Sequence, residues 1–308
     1  MPVVTLDDFA RSFAASTEEF SNTCRRAIQD CDFGYERLDK KSRDEVILCV
    51  LKKIAADTQV IGAAERTGVW ENGWEENRRA FVAGNYNLDA LIPKFIRENQ
   101  PIRYDGDYIM PTNPRFEYDY MTVFRIWLFQ KYFSDCPTIY EFGCGSGLNL
   151  VLLASLFPDR ELHGLDYVRS SVDLVNTIGK AHNWHMSSHL FDMLNPDECF
   201  EIAERGAVFT FGALEQLAGK TENFIQYLLR GKPAICLHVE PTIELYDEDV
   251  LFDYLAIQFH RKRGYSENLL PRIQQLESEG RAEILGVKRL NFGSLFMEGY
   301  TYIVWRPV

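Results

Sequence analysis

The sequence predicts an α/β fold, in which a seven-stranded, mostly parallel, doubly wound sheet follows a helical N-terminal domain. From Thr138 onward, short apolar runs alternate with segments of helical length, as in parallel sheets whose crossover helices cover both faces. Two further strand-like segments, 282–291 and 300–305, complete the seven strands near the C-terminal end. Before residue 115 the pattern is mainly helical.

The N-terminal part shows apolar residues at helical spacing, beginning with Leu6 and Phe9. Further helices are predicted over 36–56, 70–82 and 88–97, with an irregular linker or short hairpin over 101–114. We therefore divide the chain into a helical cap, lid or dimerisation domain over 1–115 and a second domain over 116–308.

The second domain is predicted to start with one long helix over 115–133. The strands that follow are predicted over 138–142, 161–166, 186–191, 207–212 and 234–239. The helices between them are predicted over 148–157, 169–182, 196–204 and 221–230, and a longer helical stretch over 247–280 breaks at Gly264.

Alternating glycines follow the first strand of this series. Gly143, Gly145 and Gly147 let the backbone turn sharply and approach a ligand closely. The next helix offers free backbone N–H groups to that ligand, so the loop is typical of a site for a nucleotide-like cofactor. A dinucleotide loop places its third glycine three residues after the second, where this chain has Leu148.

Glu141 ends the strand before this loop. A carboxylate there would repel a pyrophosphate and attract a cationic cofactor. The segment from Glu141 to Gly147 resembles motif I of the class I S-adenosylmethionine-dependent methyltransferases. The resemblance covers 116–308 and implies the seven-stranded methyltransferase sheet, S-adenosyl-L-methionine as cofactor and S-adenosyl-L-homocysteine as product. Residues 1–115 resemble no family.

Acidic residues also end the second and third strands. Asp166 lies 19 residues after Gly147, where a carboxylate can accept hydrogen bonds from both ribose hydroxyls. The resemblance implies that Asp192 and Met193 contact the adenine, and Tyr167 can pack on the adenine or ribose. The predicted cofactor-binding residues are Glu141, Gly143, Gly145, Gly147, Asp166, Tyr167, Asp192, Met193 and Phe211.

The fourth and fifth strand ends supply the candidates for chemistry. A hydroxyl acceptor must lose its proton and an amine must arrive neutral, so a carboxylate or imidazole is needed nearby. Glu215, His238 and Glu240 are the predicted catalytic residues, with solvated or structural roles as the alternatives. The predicted substrate-binding residues are Gln216, Tyr118 and Tyr120. The histidines near residue 185 match no zinc motif, so no metal is predicted.

Composition restricts the partners. The formal net charge is −12 and no basic stripe is present, which argues against a nucleic-acid substrate. The N-terminus lacks the pattern of a signal peptide, and no apolar run is long enough to span a bilayer. Seven scattered cysteines are typical of a reducing compartment. We therefore expect a cytoplasmic protein that acts on a small molecule and binds neither nucleic acid nor membranes. Residues 1–115 are long for a cap alone, so they are also expected to form a homodimer contact.

The sequence thus predicts methyl transfer from S-adenosylmethionine to the oxygen or nitrogen of a small molecule. Carboxylates at adjacent strand ends suit a cationic or amino-acid-like acceptor. Two alternatives stay open: a protein that binds the same cofactor but transfers another group or none, and an NAD-dependent oxidoreductase, which the glycine spacing and Glu141 disfavour.

Overall fold

The structure, a computed structural model, describes residues 1–61 and 65–308. Its strands in this part of the chain, β1 to β11, are Tyr35–Arg37, Ile102–Tyr104, Asp107–Pro111, Thr138–Phe142, Glu161–Asp166, Met186–Leu190, Ala207–Phe211, Ile235–Glu240, Ala282–Arg289, Phe292–Gly293 and Thr301–Pro307. Its helices there, α1 to α10, are Leu6–Phe13, Asn22–Asp30, Lys40–Ala56, Glu65–Ala83, Phe116–Phe133, Leu148–Leu156, Arg169–His182, Glu222–Gly231, Leu251–Arg263 and Leu269–Ser278.

The main sheet contains seven strands in the order β6-β5-β4-β7-β8-β11-β9. The first five of these are parallel, and β11 runs antiparallel to both β8 and β9. The predicted fold class is therefore confirmed. Side chains of β4 pack on both faces of the sheet. Ile139 belongs to a hydrophobic cluster with α5 and α6, and Phe142 belongs to another with α8 and α10.

The strand order places a crevice beside the end of β4. The chain leaves β4 in one direction towards β5 and returns on its other side as β7. Glu141 lies opposite Gly164 of β5 and Phe209 of β7 in the register. In open α/β sheets ligands bind at the carboxyl ends of strands where the order reverses, so this edge is the expected position of a site.

The N-terminal part shares its core with the main sheet. The ring of Phe13 on α1 lies 5.2 Å from those of Phe124 and Trp127 on α5. A second, antiparallel sheet has the order β1-β3-β2-β10, and β10 comes from the C-terminal part of the chain. The segment predicted to be helical therefore also contains three strands, of which β2 and β3 form the hairpin considered for 101–114. No helix in the described part of the chain is long and apolar enough to cross a membrane.

The helix predicted over 196–204 does not form. Its backbone groups bind side chains instead: the N–H of Cys199 donates to Asp197, the N–H of Ala203 donates to Tyr140 Oη, and the carbonyl of Phe200 accepts from a tyrosine of α8. These bonds replace the helical ones, so the prediction was wrong.

Two further predicted helices are shorter than expected. The helix predicted over 36–56 begins at Lys40, because the preceding residues pair with β3 and Asp39 caps the helix by accepting from the N–H of Ser42 at 2.7 Å. The helix predicted over 88–97 is only a single turn, Leu88–Leu91, and Pro93 follows closely.

Candidate functional site

The glycine loop between β4 and α6 has a backbone that favours glycine. Gly143, Gly145 and Gly147 have φ angles of +73°, +51° and +74°. A Cβ atom on Gly143 would lie 2.4 Å from the Cβ of Ala213, which follows β7. The N–H of Gly145 donates to Asp166 Oδ2 at 2.9 Å, so the end of β5 holds the loop in place. The glycines thus allow neighbouring groups to approach the loop backbone closely at the sheet edge.

Glu141 lies beneath this loop and is 1% exposed. Its Oε1 accepts a hydrogen bond from Asn149 Nδ2 at 2.6 Å, and Asn149 Oδ1 accepts from Arg125 Nη1 at 3.0 Å. Its Oε2 is buried and has no hydrogen-bond partner among the described residues. Burial raises the pKa of Glu141 to about 8. A buried carboxylate with one unpartnered oxygen favours a cationic ligand.

Two neighbouring cavities open at this edge of the sheet. The larger has a volume of about 340 Å³ and the smaller about 210 Å³. Both are lined by Gly143, Gly145, Gly212 and Gln216. The larger cavity also contains the predicted site residues Glu141, Phe211 and Glu215. The smaller cavity contains the predicted site residues Asp166, Tyr167, Asp192 and Met193.

Helix α4 covers both cavities with two tryptophans that we had not predicted. The rings of Trp70 and Trp74 are stacked 5.7 Å apart and line both cavities. Trp74 packs directly on the glycine loop, since a Cβ on Gly145 would lie 2.8 Å from its Cζ2. Glu71 fixes the helix at this position by accepting from the N–H of Ser170 at the start of α7, at 3.0 Å. The sequence feature that could have indicated them is the spacing of two tryptophans one turn apart in a predicted helix.

The acids of the smaller cavity also stabilise the local backbone. Asp166 is buried, and in addition to its bond to the glycine loop its Oδ1 accepts from the N–H of Val168 at 3.2 Å. Asp192 accepts from the backbone N–H two residues further on, at 2.9 Å. Met193 is buried and Tyr167 lies exposed at the rim. These four residues stay our predicted contacts for an adenosine group.

Glu215 and Gln216 reach the larger cavity from the short turn after β7. Gln216 Nε2 donates to Glu215 Oε1 at 2.7 Å. Burial, together with the nearby carboxylate of Glu240, raises the pKa of Glu215 to about 8. A carboxylate with such a pKa can exchange a proton near neutral pH.

His238 does not line either cavity. It is fully buried within the sheet, and burial lowers its pKa to about 3. The hydroxyl of Thr210 donates its one proton to Glu240 Oε1 at 2.8 Å. It therefore accepts from His238 Nδ1 at 3.0 Å, so we assign the ring proton of the neutral imidazole to Nδ1. His238 is therefore not proposed as a general base, because its strand face does not look into either cavity, and the alternative of a structural role applies.

Glu240 is also fully enclosed and lines neither cavity. Its Oε1 accepts from the N–H groups of Ala213 and Leu214 at 3.1 Å each, and its Oε2 accepts from the N–H of Glu215 at 3.2 Å. Glu240 therefore stabilises the turn that carries Glu215, and contact with an acceptor is not proposed for it.

Replacing Glu240 with glutamine is expected to lower the free energy of unfolding by about 1–3 kcal/mol, because an amide NH₂ would face backbone donors that are left unpartnered. Chemical denaturation measures this loss. Glu201→Gln, at an exposed position, is the control and should unfold near the wild-type midpoint. Equal stability of Glu240→Gln and wild type would contradict this role.

The two tyrosines predicted to bind substrate lie elsewhere. Tyr120 is fully buried, stacks on Phe292 with ring centroids 3.7 Å apart, and donates its hydroxyl to Ser12 Oγ at 2.8 Å. Tyr118 lies against the guanidinium of Arg115, 4.7 Å from its ring centroid, and is not part of either cavity wall. Both assignments are therefore withdrawn.

The same helix instead directs Glu117 and Met121 to the larger cavity, where Glu117 lies next to Tyr300. Neither Glu117 nor Met121 was predicted, because only the tyrosines of this helix were expected at the site. Among residues 1–61 and 65–308 no group of three or more His, Cys, Asp or Glu side chains is arranged to hold a metal ion.

No protein-family model and no curated protein matches the chain. Solved structures do. The cyclase SpnF is 12% identical, covers 77% of this chain and 95% of its own, and has a TM-score of 0.49. The plantazolicin methyltransferase BpumL is 13% identical, with coverage of 80% and 99% and a TM-score of 0.40. The 16S rRNA methylase RmtB is 14% identical over 100% of both chains, with a TM-score of 0.42. At these values we draw nothing from them about this chain's substrate.

Proposed function

We propose that this chain, whose sheet has the strand order of the class I S-adenosylmethionine-dependent methyltransferases, binds S-adenosylmethionine and transfers its methyl group to the oxygen or nitrogen of a small molecule. The observation that carries the proposal is Glu141 beneath the glycine loop. Its unpartnered carboxylate oxygen suits a cationic cofactor and opposes a pyrophosphate. That combination favours S-adenosylmethionine over NAD.

The two cavities fit the two halves of that cofactor. In the smaller cavity Asp166 would accept hydrogen bonds from the ribose, while Asp192 and Met193 would contact the adenine. In the larger cavity Glu141 would receive the α-ammonium group. When bound, the cofactor supplies an electrophilic methyl group on a sulfonium, so the protein mainly has to place the acceptor and manage its proton.

The rest of the larger cavity suits a small acceptor. It combines apolar and aromatic walls with a few polar groups, as small-molecule sites do. Glu215 lies at this wall, and the hydrogen bond from Gln216 holds its carboxylate in place. We therefore assign acceptor contact to Glu215 and Gln216. The net charge of −12 supports a small acceptor over a nucleic acid.

A mass-shift screen tests the proposed reaction. The protein is incubated with trideuteromethyl-labelled S-adenosylmethionine and a panel of amines, alcohols and carboxylic acids. We expect one labelled methyl group on at least one class of acceptor, with lower kcat for Glu215→Gln and unchanged binding of S-adenosylhomocysteine. Binding of S-adenosylhomocysteine without transfer to any panel member would contradict methyl transfer to these classes.

A further inference from the structure

The larger cavity is lined by a second buried carboxylate besides Glu141. Glu117 on α5 is 5% exposed and lines the cavity together with Tyr300, which precedes β11. The hydroxyl of Tyr300 donates to Glu117 Oε1 at 3.2 Å. Glu117 Oε2 is buried and has no hydrogen-bond partner among the described residues. A buried carboxyl oxygen in this state at a cavity wall can accept a hydrogen bond from a ligand in the cavity.

No cationic side chain pairs with this carboxylate in the described part of the chain, although Arg66, Arg97 and Arg263 line the same cavity. Arg125, two turns further along α5, is turned towards Asn149 and Thr122, with Nη distances of 3.0 Å to each. Glu117 takes part in no salt bridge there. Burial raises the pKa of Glu117 to about 7, so the side chain can exchange a proton near neutral pH. An unpaired buried carboxylate is costly unless a positive group joins it.

The residues that line the cavity indicate the chemistry of the rest of such a ligand. The wall of this cavity contains Arg66, Arg97 and Arg263, but much of it consists of apolar and aromatic side chains: Met121, Phe211, Phe259, Leu295 and Phe296. The ring of Phe211 lies 6.0 Å from that of Tyr300. Such walls accept an apolar or aromatic body, and aromatic faces also attract a cation.

We propose, resting on the methyl transfer proposed above, that the acceptor is an amine with an apolar or aromatic body and that Glu117 receives its ammonium proton. The ammonium group gives one proton to Glu117 Oε2 and becomes a neutral amine. The amine nitrogen then forms a bond to the methyl carbon, whose bond to sulfur breaks with its electron pair left on sulfur. The methylated ammonium leaves with the positive charge, and the proton on Glu117 passes to solvent. Tyr300 is a positioning residue that fixes the carboxylate through Oε1.

Calorimetry with matched probes tests this assignment. Phenethylamine and benzylamine are titrated into the protein saturated with S-adenosylhomocysteine, each against its alcohol, 2-phenylethanol or benzyl alcohol. We expect each amine to bind about 10- to 100-fold more tightly than its alcohol, the range of a charge-assisted hydrogen bond. Glu117→Gln should remove this preference and Tyr300→Phe should reduce it, while the exposed control Glu201→Gln keeps it.

The cofactor titration separates this proposal from the function on which it rests. Glu117→Gln should bind S-adenosylhomocysteine as wild type does, because Glu141 is the residue assigned to the cofactor. If neither amine binds more tightly than its alcohol, or if the preference survives in Glu117→Gln, the amine proposal is overturned. Weaker binding of S-adenosylhomocysteine by Glu117→Gln would place Glu117 in the cofactor site and also overturn it. A wild-type protein that fails to bind S-adenosylhomocysteine would overturn the proposed function itself.

Discussion

Replacing Gly143 with alanine is expected to lower the free energy of unfolding by about 2–5 kcal/mol. A left-handed backbone costs an L-residue about 1–2 kcal/mol, and overpacking adds about 1–3 kcal/mol. Both apply here, since φ is +73° and the new Cβ would lie 2.4 Å from the Cβ of Ala213. Urea denaturation measures the loss, and binding of S-adenosylhomocysteine should fall with it because the loop must shift.

Two variants separate the clash from the backbone cost. Gly106 has a φ of +80° and its Cβ would meet nothing within 4 Å, so Gly106→Ala should lose only about 1 kcal/mol. Adding Ala213→Gly to Gly143→Ala removes the atom that clashes and should restore part of the loss. Equal losses for the two single variants would show that the contact with Ala213 does not constrain the loop.

Replacing Glu141 with glutamine is expected to raise the Kd for S-adenosylhomocysteine by about 10- to 100-fold. The substitution keeps the size of the side chain but removes the charge that would meet the α-ammonium group, and hydrogen bonds to charged groups contribute about 1.5–3 kcal/mol. Isothermal calorimetry measures the change. The matched control Glu201→Gln, at an exposed position outside both cavities, should bind as wild type does.

The same substitution should stabilise the ligand-free protein at alkaline pH. Folding raises the pKa of Glu141 from 4.5 to about 8, so the unfolded chain releases this proton at lower pH than the folded one. Wild-type stability is therefore lost as pH rises between these two values, and Glu141→Gln lacks this contribution. We expect the Tm advantage of the variant to be larger at pH 9 than at pH 5. An advantage that does not grow with pH would contradict the unpaired burial of this carboxylate.

Local patterns were sufficient to predict the glycine loop and its strand and helix. The turn from β4 into α6 depends on a few adjacent residues, and Asp166 follows at a spacing that the crossover helix sets. Residues in the middle of the sheet were harder to assign. β8 is covered on both faces, so alternation of polar and apolar residues at His238 and Glu240 could not show which side chains reach a cavity.

The residues that contact the acceptor could not be predicted from the sequence pattern. On an α-helix a shift of one residue turns the side chain by about 100°, so Glu117 lines the cavity while its neighbour Tyr118 does not, and the sequence pattern does not show which of them does. The partner Tyr300 lies far away in the chain and meets Glu117 only after folding. The pairing of β10 with β2 is equally non-local, and the sequence did not predict it.

The central claim is that the site beneath the glycine loop holds S-adenosylmethionine. Calorimetric titration of the wild-type protein with S-adenosylhomocysteine and, separately, with NAD tests it most directly. We expect saturable binding of S-adenosylhomocysteine at one site per chain, weakened in Glu141→Gln, and no binding of NAD. Binding of NAD in preference to S-adenosylhomocysteine, or binding of S-adenosylhomocysteine that Glu141→Gln leaves unchanged, would contradict it.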